Sequence, residues 1–405
     1  MPDRDVDILL IGGGIASATA AATLRAEGFG GSILLVGREL DPPYHRPPAS
    51  KGYLMGREPK EDTLVHPETW WDEHGVELLT RTSVMSLDCA QKTAKLSTKQ
   101  EVGFGQALVA TGAMVRRLAV DGAQLDGIHY LRALGNADTI RADVEHADRV
   151  VCVGGSYIGS EVAASLAELG KRVTVLMQER HPLERQFGAR AGAYVRSVLE
   201  AHGVEVIGDE EVERFEPAEE GGERVGRVVT KAGRTLEARA VVCGVGAQPD
   251  VMLARKSGLE LGELGGVLCD SRLRTSADCV FAAGDICEYD SVVHGRVVRI
   301  EHEEVAAAQG ATAARNMLGA DAPHDVVPYF FSDLSDWAAI EYVGPAAAWD
   351  EEVVRGEPGA GPFAVWYLEG GHVRAMLSVD GGGDVDRARE LIAAGEAVGA
   401  SAVPG

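Results

Sequence analysis

The stretch Val150-Val-Cys-Val-Gly-Gly-Ser-Tyr-Ile-Gly159-Ser-Glu-Val-Ala163 decides the fold, because it is the second of its kind in the chain. Its counterpart is Val6-Asp-Ile-Leu-Leu-Ile-Gly-Gly-Gly-Ile-Ala-Ser17-Ala-Thr-Ala20. Each is an apolar run of strand length that enters a glycine turn and passes straight into an alanine-rich helical pattern. That is the context a dinucleotide-binding fingerprint requires. A helix N-terminus offers unpaired N–H groups and the positive end of the dipole, and glycines let a pyrophosphate approach them. Two such segments, about 140 residues apart, predict two bound dinucleotides rather than two ordinary tight turns.

The two turns depart from the ideal spacing in different places. The first reads Gly12-x-Gly14-x-x-Ser17, with a small residue where the helix must lie on the sheet. The second reads Gly154-x-Ser156-Tyr157-Ile158-Gly159. Ser156 stands where the backbone approaches phosphate, so its side chain either points away or offers a hydroxyl.

At 405 residues the chain has room for two or three domains with real cores. No apolar run reaches the length of a membrane span, and the first residues run directly into a strand pattern, which predicts a cytoplasmic, non-membrane protein. The six cysteines form no CxxC and no metal-ligand spacing, so no metal site and no dithiol relay is expected. A formal charge of −23 argues against a nucleic-acid partner.

Between the fingerprints, Glu39 follows the strand pattern Ser32–Val36 at the distance where an acid accepts ribose hydroxyls. Arg38 beside it leaves the register open, as does the reading of Glu39 as a solvated loop acid. The segment Pro42-Pro-Tyr-His-Arg46-Pro-Pro-Ala-Ser-Lys51-Gly-Tyr-Leu54 is stiffened by four prolines, which lowers the entropy lost in holding Lys51 in one place. Read alone it is a proline-rich surface loop.

This segment resembles one carried by FAD-dependent NAD(P)H reductases of the ferredoxin reductase class that serve bacterial oxygenases. That family also includes monodehydroascorbate reductases and apoptosis-inducing-factor-like proteins. In it the loop lies along the flavin, and the resemblance assigns Arg46 to cofactor contact and Lys51 to the neighbourhood of the isoalloxazine. Further segments resemble the family in the same order along the chain. Ala110-Thr111-Gly112, followed by Arg116, is similar to the crossover out of the FAD domain, and Ala240-Val-Val-Cys-Gly-Val-Gly246 to the return crossover. Gly284-Asp285 resembles the second FAD motif, whose carboxylate accepts hydrogen bonds from the ribityl chain. Glu301 and His302 fall in a segment that resembles the family's next helix, whose first turn lies against the flavin, which assigns both to flavin contact. Phe330-Phe331-Ser-Asp333 resembles the aromatic segment that covers it. Tyr329, Phe330 and Phe331 at consecutive strand positions cannot all face one side, so at least one points away from the core. Trp337 either joins it or packs in an ordinary core.

In the inserted segment, the resemblance assigns Glu161 to the nicotinamide and to pairing with Lys51, although the dipole alone also favours an acid at a helix start. After the strand pattern Val173–Leu176, the usual acid position holds Met177, and Glu179 comes two residues late, which favours NADH over NADPH.

The implied fold is α/β, with two Rossmann-like domains in a glutathione-reductase-like architecture and a small α/β C-terminal domain. The expected division is an FAD domain at 1–115 and 244–325, an NAD(P)-binding domain at 116–243 and a C-terminal domain at 326–405. The implied activity is hydride transfer from NAD(P)H to FAD with onward transfer to a ferredoxin-type iron–sulfur protein by a monomer or homodimer. A quinone, oxygen or monodehydroascorbate acceptor and a redox-sensing role stay open as alternatives. The net charge does not promise the basic face that an acidic ferredoxin would dock on, although a local patch, for example around Arg185, Arg190 and Arg196, could supply it; Val385 to Ala397 is the expected final helix.

Overall fold

The computed structural model describes residues 2–344 and 346–404. The elements that position the site are β1 (Arg4–Ile11), α1 (Ile15–Ala26), β2 (Ile33–Val36), β3 (Val76–Leu79), β4 (Glu101–Val109), β5 (Ile128–Tyr130), β6 (Arg149–Val153), α2 (Tyr157–Glu168), β7 (Arg172–Leu176), α3 (Glu184–Ala201), β8 (Glu205–Ile207), β9 (Ala240–Cys243), β10 (Val280–Ala282), α4 (Glu303–Met317), β11 (Tyr329–Leu334) and α5 (Val385–Ala394). The chain divides into two units. One holds the residues up to His45, Glu61–Met114 and Gln248–Tyr329; the other holds Arg46–Lys60, Val115–Ala247 and the residues from Phe330 onward.

In the first unit, β3, β2, β1, β4 and β10 lie side by side as a parallel sheet. A parallel sheet covered on both faces selects continuous apolar runs. Accordingly Ile8, Leu9, Leu10 and Ile11 of β1 and Leu34 and Leu35 of β2 are buried. Helix α1 packs against α4 through small residues: Ala16, Ala18, Ala20 and Ala21 are buried, and a Cβ on Gly310 of α4 would strike the Ala16 carbonyl. Only alanine and glycine let two helix backbones come this close.

In the second unit, β8, β7, β6, β9 and β5 form another parallel sheet in that order. The acidic segment at Glu216–Glu223 joins two antiparallel strands, Val212–Pro217 and Val225–Thr230, as a solvated hairpin. The chain ends in a five-stranded sheet covering 329–379 and the helix α5. That helix closes at Ala394, three residues before the sequence expectation, because Gly395 adopts the left-handed conformation (φ 61°) that stops a helix. Helix α3 is broken at Gly188, whose φ of 80° and ψ of 169° are not helical. The Tyr367 hydroxyl, itself fully buried, donates to the Phe187 carbonyl at 2.7 Å beside that break. A polar group at a kink away from water is costly to leave unpaired. Replacing Tyr367 with Phe is therefore expected to cost about 1–3 kcal/mol of stability in denaturant unfolding.

His324, in the first unit, is 1% exposed and its Nδ1 lies 3.1 Å from the Thr312 hydroxyl. Burial pushes its pKa down to about 4, against the weaker opposing pull of Asp325. The neutral ring is favoured in the fold, so its contribution is complete above the unfolded value of 6.5 and is lost as pH falls toward 4. At pH 4 the loss reaches about 3 kcal/mol. Thermal unfolding between pH 7 and 4 checks this: His324→Gln should flatten the decline.

Candidate active site

The residues that the sequence marks in the first unit gather at one edge of its sheet. Gly12–Gly14 follow β1, Glu39 follows β2, Ala110–Gly112 follow β4 and Gly284–Asp285 follow β10, each just past the carboxyl end of a parallel strand. In open α/β sheets ligands bind outside those ends. Gly12 has a φ of 123°, and a Cβ there would collide with the Ala110 carbonyl, so the turn is pressed against the end of β4 and excludes any other residue. Gly14 is the N-cap of α1, no side chain caps that helix, and nothing lies within 4 Å of where its Cβ would be. An uncapped helix start with open space at a glycine fits a pyrophosphate, which satisfies the N–H groups that a capping side chain satisfies elsewhere. By contrast α5 is capped by Asp384, which accepts from the Arg387 N–H. Ser17 is fully buried, and among the described residues its hydroxyl has no hydrogen-bond partner.

Arg38 and Glu39 take different partners. The Arg38 guanidinium pairs with the Asp250 carboxylate at 2.7 Å, while Glu39, partly exposed, accepts from the buried Tyr44 hydroxyl at 2.5 Å. Asp250 also fixes the crossover, its carbonyl accepting from the Thr111 hydroxyl at 2.9 Å and its N–H donating to the Gly112 carbonyl. Gly284 (φ 80°) donates its N–H to the side-chain oxygen of the buried Gln309 on α4. Asp285 accepts from Arg299 through its backbone carbonyl, and Arg299 also pairs with Glu301 at 2.5 Å. His302 is the N-cap residue of α4. Its ring keeps some exposed surface, yet the packing around it pushes the pKa down to about 4, against the pull of Asp285, so it stays neutral near pH 7.

The second unit repeats the construction. Gly154 (φ 104°) leaves β6, and a Cβ there would run into the Gly244 carbonyl after β9; a Cβ on Gly159 would strike the Gly154 carbonyl. The open question at Ser156 is settled by its hydroxyl, which donates to the Gly244 carbonyl at 2.7 Å and accepts from the Gly159 N–H at 3.4 Å. The side chain thus turns under the loop and leaves the phosphate side to backbone. Gly246 (φ 92°) accepts from the Arg116 N–H, and the Arg116 guanidinium donates to the Ala247 carbonyl. Met177 is buried and unavailable to a ribose. Glu179 remains partly exposed and is ion-paired with Arg185.

Lys51 and Glu161 meet in this unit. The Lys51 ammonium lies 3.5 Å from Glu161 and 3.2 Å from Asp333, and sits 4.6 Å from the centroid of the Phe331 ring. The Glu161 side chain is buried, at 7% exposure, and that of Lys51 is 14% exposed. Phe330 turns into an aromatic cluster with Tyr157, Phe187 and Tyr342, whereas Phe331 is 42% exposed, as the strand alternation requires. Trp337 is half-buried and stacks on His202, 4.0 Å between centroids. Arg46 donates to the Arg132 carbonyl at 2.6 Å.

Sequence reasoning missed Ser50, Ser332, Asp250 and Gln309. Ser50 and Ser332 sit inside segments quoted for other residues, and Gln309 is a polar residue between small ones on a helix face that must pack closely. In the region of Arg185, Arg190 and Arg196, Arg185 pairs with Glu179, and Arg196 with Glu200 and with the Arg180 and Val206 carbonyls. All six cysteines are unpaired, and burial raises the thiols of Cys152 and Cys243 to about 12.

Residues 6–310 match the profile of the pyridine nucleotide-disulphide oxidoreductases, and residues 329–404 match that of the reductase C-terminal domain. The chain is 35% identical to the 5,5'-dehydrodivanillate O-demethylase ferredoxin reductase subunit of Sphingobium sp., over 97% of this chain and 94% of that one. It is 33% identical to the ferredoxin–NAD(+) reductase component of the anthranilate 1,2-dioxygenase system of Burkholderia cepacia, over 96% and 94%. Among solved structures, the covalent putidaredoxin reductase–putidaredoxin complex superposes with a TM-score of 0.91 at 29% identity, over 98% of this chain and 95% of that one. The doubled glycine turn, the aligned strand ends and these matches lead to one assignment: the chain belongs to the pyridine nucleotide-disulphide oxidoreductase family, and within it to the reductases that carry the reductase C-terminal domain.

Proposed function

We propose that this chain is an FAD-dependent NADH:ferredoxin reductase, taking a hydride from NADH and passing electrons to a small iron–sulfur protein that feeds an oxygenase. The observation that carries this reading is the Lys51–Glu161 pair of the second unit, 3.5 Å apart, taken together with the uncapped fingerprint turn of the first. The names of the relatives, reductase components of demethylase and dioxygenase systems, supply the acceptor class. In this reading residues 1–115 and 244–325 hold FAD, 116–243 hold the nicotinamide dinucleotide and 326–405 form the C-terminal domain. Among the described residues no helix is long and apolar enough to cross a membrane. We place the protein in the cytoplasm, where NADH is supplied.

Bound FAD supplies the chemistry of accepting two electrons as a hydride and releasing them one at a time. The chain's own residues do the rest. Backbone N–H groups at Gly12–Gly14 and Gly154–Gly159 receive the two pyrophosphates, Glu39 and Glu179 accept from the adenosine riboses, and Asp285 from the ribityl chain. Lys51 would supply a positive charge favouring the reduced, anionic flavin, and Glu161 with Asp333 holds that ammonium in one place. Phe331 covers it. Hydride transfer needs no general base, which agrees with a His302 held neutral and with the assignment of Glu301 and His302 to flavin contact.

Steady-state reduction of cytochrome c with NADH and an added ferredoxin tests the proposal: turnover should depend on the ferredoxin, and a rate unchanged without it would contradict the assigned acceptor. Lys51→Met should slow flavin reduction roughly 100-fold while the FAD content is kept. Glu179→Ala, which removes the ribose acceptor, should raise the KM for NADH about tenfold and leave that for NADPH unchanged or lower. Initial-rate kinetics with both nucleotides reads this directly.

A further inference from the structure

The Glu161 carboxylate is held by more than its lysine. Its Oε2 accepts from the Ser50 hydroxyl at 2.5 Å, and its Oε1 accepts from the Ser332 hydroxyl at 2.7 Å, with Lys51 3.5 Å away on the same oxygen. Ser50 and Ser332 are each 1% exposed, so neither hydroxyl exchanges its partner for water. Ser50 is itself fixed, because its backbone carbonyl accepts from the Ser165 hydroxyl one turn further along α2 at 2.7 Å. Three segments remote in sequence thus converge on one carboxylate: the proline loop at Ser50, α2 at Glu161 and β11 at Ser332. Each serine adjoins a residue of the cluster beyond the carboxylate. Ser50 precedes Lys51, and Ser332 lies between Phe331 and Asp333, the ring and the acid that border the ammonium.

Hydrogen bonds to a charged acceptor are stronger than neutral ones, and a buried carboxylate with both oxygens engaged has one orientation available. The 3.5 Å separation to Lys51 is long for a salt bridge, so the ammonium alone does not dictate where the carboxylate points. The two hydroxyls do.

We propose that Ser50 and Ser332 are positioning residues for hydride transfer, which aim the Glu161 carboxylate and thereby fix where the Lys51 ammonium stands. They act through Glu161 and touch neither nucleotide. This rests on the function proposed above, and its test separates the two. Flavin reduction at saturating NADH should fall about tenfold in Ser332→Ala and in Ser50→Ala, with the NADH Kd within about twofold of the parent. In a Glu161→Gln background, Ser332→Ala should add less than about twofold, since a residue that acts through another has nothing further to lose once that one is altered. Hydrogen exchange on the holoprotein gives a reading independent of turnover: Ser332→Ala should speed exchange both at 330–334 and at the remote segment 46–54. Full additivity of Ser332→Ala with Glu161→Gln, or faster exchange confined to 330–334, would overturn the proposal. Where Ser332→Ala does not fold, Ser332→Cys, which keeps the volume and donates weakly, carries the same cycle. A parent protein whose flavin NADH does not reduce would sink the reductase reading, while the exchange experiment would still decide the role of the serines.

Discussion

The carbonyl of Ala110 occupies the space a Cβ on residue 12 would need, and the carbonyl of Gly244 does the same at residue 154. This close backbone approach, made twice, is the constraint on which the rest depends. It presses each fingerprint turn against the end of a neighbouring parallel strand, and only glycine, with a φ above 100° at both places, tolerates it. With the turn so placed, the following helix starts with its N–H groups facing the open edge of the sheet. In the first unit they are left without a side-chain cap. In the second, Ser156 is drawn underneath by the same Gly244 carbonyl. The two turns use different residues to reach one result, a backbone surface suited to phosphate.

Around that scaffold the chain spends polar groups where they fix charges. Asp250 engages Arg38 and the Thr111–Gly112 turn, leaving Glu39 with Tyr44 for company at the end of β2. Gln309 holds Gly284 from inside α4. Glu161 gathers Ser50, Ser332 and Lys51. Burying a carboxylate and an ammonium is costly unless both are paired and hydrogen-bonded, and breaking such a cluster is costlier than never having built it. A buried cluster of this kind is weak evidence for stability alone and stronger evidence for a task that needs a charge at a fixed point.

The parallel sheets, the order of the motifs and the outward turn of one ring among Tyr329, Phe330 and Phe331 were legible because each depends on local rules. Strand length, glycine turns and two-residue alternation are written within ten residues of one another. The serines were not legible, because Ser50 lies 111 residues from Glu161 and Ser332 lies 171 from it, and no local pattern distinguishes a serine that reaches a distant carboxylate from one that reaches water. Of the pairs at Arg185 and Arg196, the second, with Glu200 four residues on, follows from helix spacing, whereas the first, with Glu179, depends on how the chain turns into α3. The end of α5 was misplaced by reading amphipathic spacing past Gly395, where a left-handed residue outweighs periodicity. Met177, at the position where an acid is usual, faces the core, while Glu179 two residues on stays partly exposed.

The central claim, that one chain binds two dinucleotides and moves a hydride between them, is tested most directly by anaerobic rapid mixing of the purified protein with NADH and, separately, NADPH. Flavin absorbance is followed before and after a ferredoxin is added. The account predicts a protein that is yellow as isolated, bleached faster by NADH than by NADPH, and reoxidised on addition of the ferredoxin. A colourless protein, or a flavin that neither nucleotide bleaches, would contradict it.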